Sequence, residues 1–164
     1  SENLWNAFEP GDLRKMLWIK KVTNGTNTWY QPFKYKRSTA TASSDEYTIL
    51  FRLAEQYLIR AEARVHTENL AGAKEDLNRI RNRAGLINTT ANTPQSLLTA
   101  ILKERRFELF TEQGHRWFDL KRTANAANVL SPIKVGWRAT DLLLPLPENE
   151  LILNNNLLPQ NPGY

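Results

Sequence analysis

Three glutamates, Glu104, Glu108 and Glu112, recur every fourth position in ILKERRFELFTEQGHRWFDLKR (101–122). On a helix that spacing stacks carboxylates on one face, and a carboxylate pair is the machinery of glycoside hydrolysis. Catalytic pairs flank a cleft, however, and rarely occupy adjacent turns of one helix. Arg105 and Arg106 stand beside them as ready counter-ions. The expectation is a self-neutralised network in which Glu62, Glu104 and Glu108 pair with some of Arg79, Arg81, Arg83, Arg105 and Arg106. Glu112 and His115 have an i,i+3 ligand spacing, but a di-iron bundle needs two such pairs and additional glutamates. The other histidine, His66, has no matching motif around it, so no metal and no cofactor are expected. His115 is read as a helix-start or core histidine holding a backbone carbonyl. Nucleophilic and nucleotide chemistry find no support: GxSxG, GxxxxGK[ST] and GxGxxG are all absent. With no cysteine in the chain there is no disulfide, thiolate or Cys-based zinc site.

The other residues with chemical potential are aromatic. Trp5, Trp18, Trp29, Tyr30, Tyr35 and Trp137 lie mostly in loop-like sequence. Flat rings stack on the C–H faces of sugars, and nearby amides bond the hydroxyls. Asn27, Thr28, Trp29, Tyr30 and Gln31 supply that mixture in one stretch. The competing reading is that these rings anchor loops on the core, as buried Trp commonly does. Trp117 and Phe118 are expected in the core. Asn27, Trp29, Tyr30 and Trp137 are the candidate ligand-binding residues.

The elements that must position these groups are mostly helical. The 164 residues are 41% hydrophobic and 24% charged, which suits one domain or a large part of one. No apolar run approaches the roughly 20 residues of a membrane-spanning helix. The net charge of +5 arises largely in residues 1–40, with 7 basic against 3 acidic side chains. Residues 41–123 hold 13 against 11, and no basic stripe follows one element, so nucleic acid is not an expected partner.

Residues 1–45 read as a loop-rich segment. Asn24-Gly25-Thr26-Asn27 would turn between two extended pieces, KMLWIKKV and TWYQPFKYK, and STATASSD (38–45) reads as a flexible surface loop. Residues 46–123 read as the helical core. One helix begins near Phe51 or Leu53 and carries the stripe Leu50, Ala54, Tyr57, Ala61, Val65. The next carries Leu70, Ala73, Leu77, Ile80, Ala84, between an Asn69 cap and a Gly85 stop. Small residues at Ala61 and Ala73 would let the two backbones approach, as in a tetratricopeptide (TPR)-like hairpin. Arg60 and Arg64 stand where that pattern prefers apolar groups. A third helix starts at Thr93-Pro94 and is expected to reach about Gln113. A short helix follows over His115–Arg122. Residues 124–164 read as an irregular C-terminal segment: ANAANVLSP as loop, LLLPLP as an extended edge, PENEL as one helical turn, and a tail either tied down by packing or frayed. The fold class is therefore mostly α: a TPR-like helical hairpin plus further helices, with long irregular loops and short extended segments. The polar opening SENLWNAFEPGDLRK lacks an initiating Met, and the sequence is read as a fragment of a longer protein.

Five stretches together carry a family resemblance: RLAEQYLIRAEA (52–63), DLNRIRNRAGL (76–86), ILKERRFELFTEQGHRWFDLKR (101–122), LLPLPENEL (143–151) and NPGY (161–164). In order and spacing they resemble the C-terminal part of the SusD/RagB family of outer-membrane glycan-binding lipoproteins, and EPGDLRK (9–15) resembles the opening of that family's later half. The resemblance implies a TPR-like scaffold with irregular loops and no catalysis. It implies capture of oligosaccharide or polysaccharide, starch among them, on the outward face of the outer membrane, for nutrient uptake through a TonB-dependent transporter. Membrane attachment would run only through an N-terminal lipidated cysteine outside this segment. The motif residues themselves are expected to be scaffold. Two alternatives stand beside this reading: a docking module that contacts the transporter without binding glycan, and a glycoside hydrolase using the Glu104/Glu108/Glu112 face.

Overall fold

The computed structural model describes residues 2–37 and 46–164; the expected surface loop at 38–45 lies outside the described residues. The chain forms two compact units, Ser1–Arg116 and Trp117–Tyr164.

The first unit opens with α1 (Glu2–Ala7) and α2 (Leu13–Leu17). Lys15, Met16 and Leu17, expected to be extended, are helical. Asp12 accepts the Arg14 backbone N–H and so caps the turn they complete. Strands β1 (Ile19–Asn24) and β2 (Asn27–Pro32) then pair antiparallel, with Asn24 opposite Asn27 and Ile19 opposite Pro32. Gly25 supplies the positive φ of 58° that so tight a turn needs.

Helices α3 (Leu53–His66) and α4 (Leu70–Arg83) form the expected antiparallel hairpin, and α5 (Pro94–Glu108) packs on both. Ala61 and Ala73 are both fully buried and belong to the one apolar cluster that the two helices share, so neither position has room for a larger side chain without a shift. The buried stripe of α3 is Ala54, Leu58, Ala61 and Val65. Leu50, expected in it, precedes the helix and is largely exposed. Arg60 and Arg64 both reach Asp76 of α4, at 2.6 and 2.8 Å, and Arg64 also donates to the Gly72 carbonyl. Ions thus occupy the place where the repeat pattern prefers apolar packing.

Local chemistry sets the ends. Asn69 accepts from the Gly72 N–H. At the far end of α4 the Leu86 N–H bonds the Arg81 carbonyl and the Gly85 N–H bonds that of Asn82, a Schellman closure that Gly85 permits at φ 81°. Thr93 and Ser96 cap α5 reciprocally, with Pro94 in the first turn. Two apolar clusters result. One joins α3, α4 and α5 through Leu58, Leu77, Leu97 and Ile101. The other gathers Phe8, Ile19, Phe107 and Phe110.

α6 (His115–Arg122) begins at the end of the first unit and continues into the second. The second unit adds α7 (Ala126–Leu130) and α8 (Glu148–Leu153), with 3-10 turns at Ala139–Leu142 and Asn155–Leu157. α7 lies inside ANAANVLSP, expected as loop; its alanines favour a helix once Asn125 starts one. The tail is tied rather than frayed. The Gln160 side chain both accepts from the Leu146 N–H and donates to the Leu146 carbonyl, standing in for a strand partner. Asn161 donates to the Leu144 carbonyl and the Tyr164 hydroxyl to that of Leu143. LLPLP, which its prolines leave short of backbone donors, is held by the side chains of QNPGY.

Candidate functional site

Two places hold the chemistry-bearing residues of the first unit. The first is the last turns of α5. Glu104 and Glu108 are 1% and 0% exposed. Glu108 is met by Arg14 at 3.1 Å, by Arg83 at 2.6 Å and by Arg52 in a short contact. Glu104 lies 2.7 Å from Arg14 and 3.4 Å from Arg81. Its Oε1 is paired with Arg14 by charge alone, since no donor is aligned on it. Arg14 is clasped in turn by Asp12 at 2.8 Å, and Arg81 by Glu9 at 3.0 Å.

Burial raises the pKa of Glu104 above the usual carboxylate range, and its arginines offset only part of that rise. Burial acts on Glu108 in the same direction, but Arg83, Arg52 and Arg14 outweigh it and hold that carboxyl low. Arg14 gains more from Asp12, Glu104 and Glu108 than burial costs it, so its pKa rises. These carboxylates are enclosed and committed to cations.

The expected network is therefore present with different members. Of the expected cations, Arg81 pairs with Glu104 and Arg83 with Glu108. Arg105 instead faces Glu55 at 3.9 Å, Arg79 lies over the Tyr57 ring, and Arg106 donates to Asn3. Arg14 and Arg52, which join it, carry a signal in the sequence only through EPGDLRK and RLAEQYLIRAEA.

Helix α5 ends at Glu108, short of the expected Gln113. Lys34 and Arg52 both donate to the Glu108 carbonyl, at 2.7 and 2.8 Å, where a further helical N–H would otherwise bind. Thr111, Gln113 and Gly114 then take positive φ and turn the chain. Glu112 thus leaves the helical stack but rejoins the same cations, at 2.8 Å from Lys34 and 2.9 Å from Arg52. Burial depresses the Lys34 pKa to about 8, although Glu112 pulls the other way. His115 starts α6 with Nδ1 3.5 Å from a Glu55 carboxylate oxygen, not on a backbone carbonyl. Glu112 and His115 are thus aimed at different partners.

The second place is the β1–β2 hairpin. Register and alternation put Asn27, Trp29 and Gln31 on one face, with Lys20, Val22 and Asn24 opposite them. All but Val22 are exposed, and Trp29 is 52% exposed. Tyr30 points to the other face, where its ring stacks on Trp5 at 4.4 Å and 15°. The Lys15 ammonium lies over the Trp5 ring at 4.4 Å, and both stacked rings are half-buried. A slip of one residue would exchange Trp29 for Tyr30 outward; buried Ile19 on the inner face resists it. Trp5 and Lys15 are contributors that sequence reading does not assign, because their partner is remote in the chain.

Trp137 belongs to the second unit, where it is half-buried and meets Trp117 edge-on at 6.4 Å. Phe118, expected in the core beside Trp117, is 60% exposed: its neighbours Asp119 and Leu120 take the buried side of this short helix.

A sequence model of the SusD family matches residues 17–164. SusD-like protein P2 of Formosa agariphila is 39% identical over 138 residues, which is 74% of this chain and 26% of that protein. A SusD superfamily protein of Parabacteroides distasonis covers the whole chain at TM-score 0.79 and 25% identity, over 41% of its own length. Surface glycan-binding protein A of Bacteroides thetaiotaomicron covers the whole chain at TM-score 0.71 and 26% identity, again over 41% of its own length. The chain thus spans about a quarter of the P2 relative and two fifths of these two structures.

Proposed function

The chain belongs to the SusD family, and we propose that it forms part of a non-catalytic protein that binds oligosaccharide at the outer cell surface. The bound glycan is then handed to a TonB-dependent outer-membrane transporter for uptake. In this reading attachment is through an N-terminal lipid on a part of the protein outside this segment. Among the described residues no helix is long and apolar enough to cross a membrane.

The observation that carries this reading is the outward face of the hairpin, where an exposed indole is flanked by amides. In the proposal Trp29 stacks on the apolar face of a sugar ring and Asn27 bonds its hydroxyls. Tyr30, locked on Trp5, holds the strand so that Trp29 faces out. Trp137 of the second unit is proposed as a further aromatic contact. The likeness to a protein named for surface glycan binding supports the ligand class. The absence of catalysis is supported by the burial of Glu104 and Glu108 and by their arginine partners. A hydrolase needs one such carboxyl to deliver a proton to substrate and the other to face the sugar ring or a water.

The test is a glycan array followed by calorimetric titration of the intact protein and its Trp29→Ala variant. One lost stacking contact of about 1 kcal/mol lowers affinity roughly fivefold to tenfold. Unchanged affinity would remove the hairpin as the site. Turnover of chromogenic glycosides by the wild type would overturn the non-catalytic reading. Co-purification with a transporter by a protein that binds no glycan would favour a pure docking role.

A further inference from the structure

A second aromatic place in the first unit is not part of the hairpin face. Trp18, Tyr35, Glu46, Tyr47, Arg52 and Glu112 contribute to the lining of a cavity of about 410 Å3, within the range typical of small-molecule sites. None of the outward residues of the hairpin lines it.

Its rings play different parts. The Lys34 ammonium and Arg52 guanidinium lie over Trp18 at 4.9 and 5.3 Å, so Trp18 is a covered floor. Tyr35 and Tyr47 remain open, at 43% and 73% exposure, and among the described residues no aromatic ring is stacked on either. The Tyr35 oxygen accepts the Ile49 N–H at 3.3 Å, which leaves its own proton to donate.

The acceptors are acidic but not exhausted. One Glu112 oxygen takes Lys34 and the other takes Arg52. The Glu46 oxygens take the backbone N–H groups of Lys36 and Arg37 at 2.9 Å. A carboxylate offers about four lone-pair sites, so both retain capacity for hydroxyl donors. Lys34 and Arg52 balance Glu46 and Glu112 in formal charge, and both cations are already engaged by carboxylates. An anionic ligand would meet two carboxylates and no disengaged cation. A polyol meets acceptors, a phenol donor and two flat walls.

We propose that this cavity is a second glycan subsite, taking one neutral pyranose with its C–H face on Tyr47 or Tyr35 and its hydroxyls donated to Glu112 and Glu46. It rests on the glycan-binding reading above and adds both a location and a charge class.

The experiment titrates the intact protein with short malto-, xylo- and galacto-oligosaccharides and, in parallel, with alginate and pectin oligosaccharides. Tyr47→Ala removes an exposed ring, and Tyr35→Phe keeps the ring while removing the hydroxyl, both its proton and the acceptor of the exposed Ile49 N–H. Melting is recorded for each, so that a folding defect in one leaves the other to decide. Tyr47→Ala is expected to lower affinity for the neutral ligand about fivefold, and Tyr35→Phe about threefold, at unchanged melting temperature. Wild-type affinity in both variants overturns the subsite. If Trp29→Ala alone weakens binding, the hairpin reading survives without it. A wild type that binds only the acidic oligosaccharides overturns the charge class. A wild type that binds no glycan removes the functional reading itself, an outcome distinct from failure of the cavity.

Discussion

The end of α5 and the face of the β1–β2 hairpin are opposites. The first concentrates glutamate and arginine, and it is sealed: Glu108 is fully buried with three arginines on it. The second carries one indole, three amides, a lysine and a valine, and it is open. The region richest in reactive side chains has its hydrogen-bonding and charge capacity turned inward. The plainer region keeps its capacity for something else. Charge density in a sequence therefore marks where a protein must satisfy itself, and recognition is better sought where groups are left unengaged.

The contrast breaks first at Glu108. Glu108→Ala leaves Arg14 and Arg52 without their shared carboxylate and should cost about 3–5 kcal/mol, read by chemical denaturation. A variant as stable as the wild type would mean that the network is not energetically buried. Next is the hairpin that carries α5. Ala73→Leu forces a larger side chain between α3 and α4 and should cost about 1–3 kcal/mol on the same assay; no change would mean that the helices do not meet closely there. The open face should behave oppositely. Trp29→Ala should move stability by no more than about 0.5 kcal/mol while weakening glycan binding as described. A large stability loss would make Trp29 part of the core.

The smallest effect sharpens the edge of the network. Arg81 first, then Lys103, holds the Glu9 carboxyl down to about 2 against an ordinary 4.5. Because the folded value is depressed, Glu9 contributes stability that is fully present above about 4.5 and lost as pH falls through about 2. Glu9→Gln should therefore flatten the loss of stability between those pH values relative to wild type, modestly, because Glu9 is partly exposed. An identical acid profile would mean that the pair does not persist in solution.

Much of the scaffold was legible in advance, because it rests on local rules. Asn69, Gly85, Thr93 and Pro94 set helix ends by caps and backbone preference, and the stripe of α4 follows from its period. The misreadings share a cause. α5 looked longer because its sequence stays helical in character to Gln113, and only Lys34 and Arg52, distant in sequence, cover the carbonyl at which it stops. Met16 and Leu17 have strand-like neighbours but lie behind an Asp12 cap. Residue type alone puts Phe118 inward, whereas an eight-residue helix with Asp119 and Leu120 buried has little inward arc left.

Of the candidate binding residues, the sequence could name Asn27, Trp29 and Tyr30 but not their directions. Alternation separates Trp29 from Tyr30, and which of them faces out follows from the pairing register and the Trp5 stack. The sequence marks Tyr35 and Trp18 as aromatics in loop-like stretches, but not that they meet Tyr47, because the cavity draws its walls from the residue before β1, the segment after β2 and the residues before α3. The sequence by itself determined the helical hairpin, the caps and the family, since each depends on residue type at short or fixed spacing. The tertiary structure alone decided which charges cancel and which rings remain exposed, since both depend on partners remote in the chain.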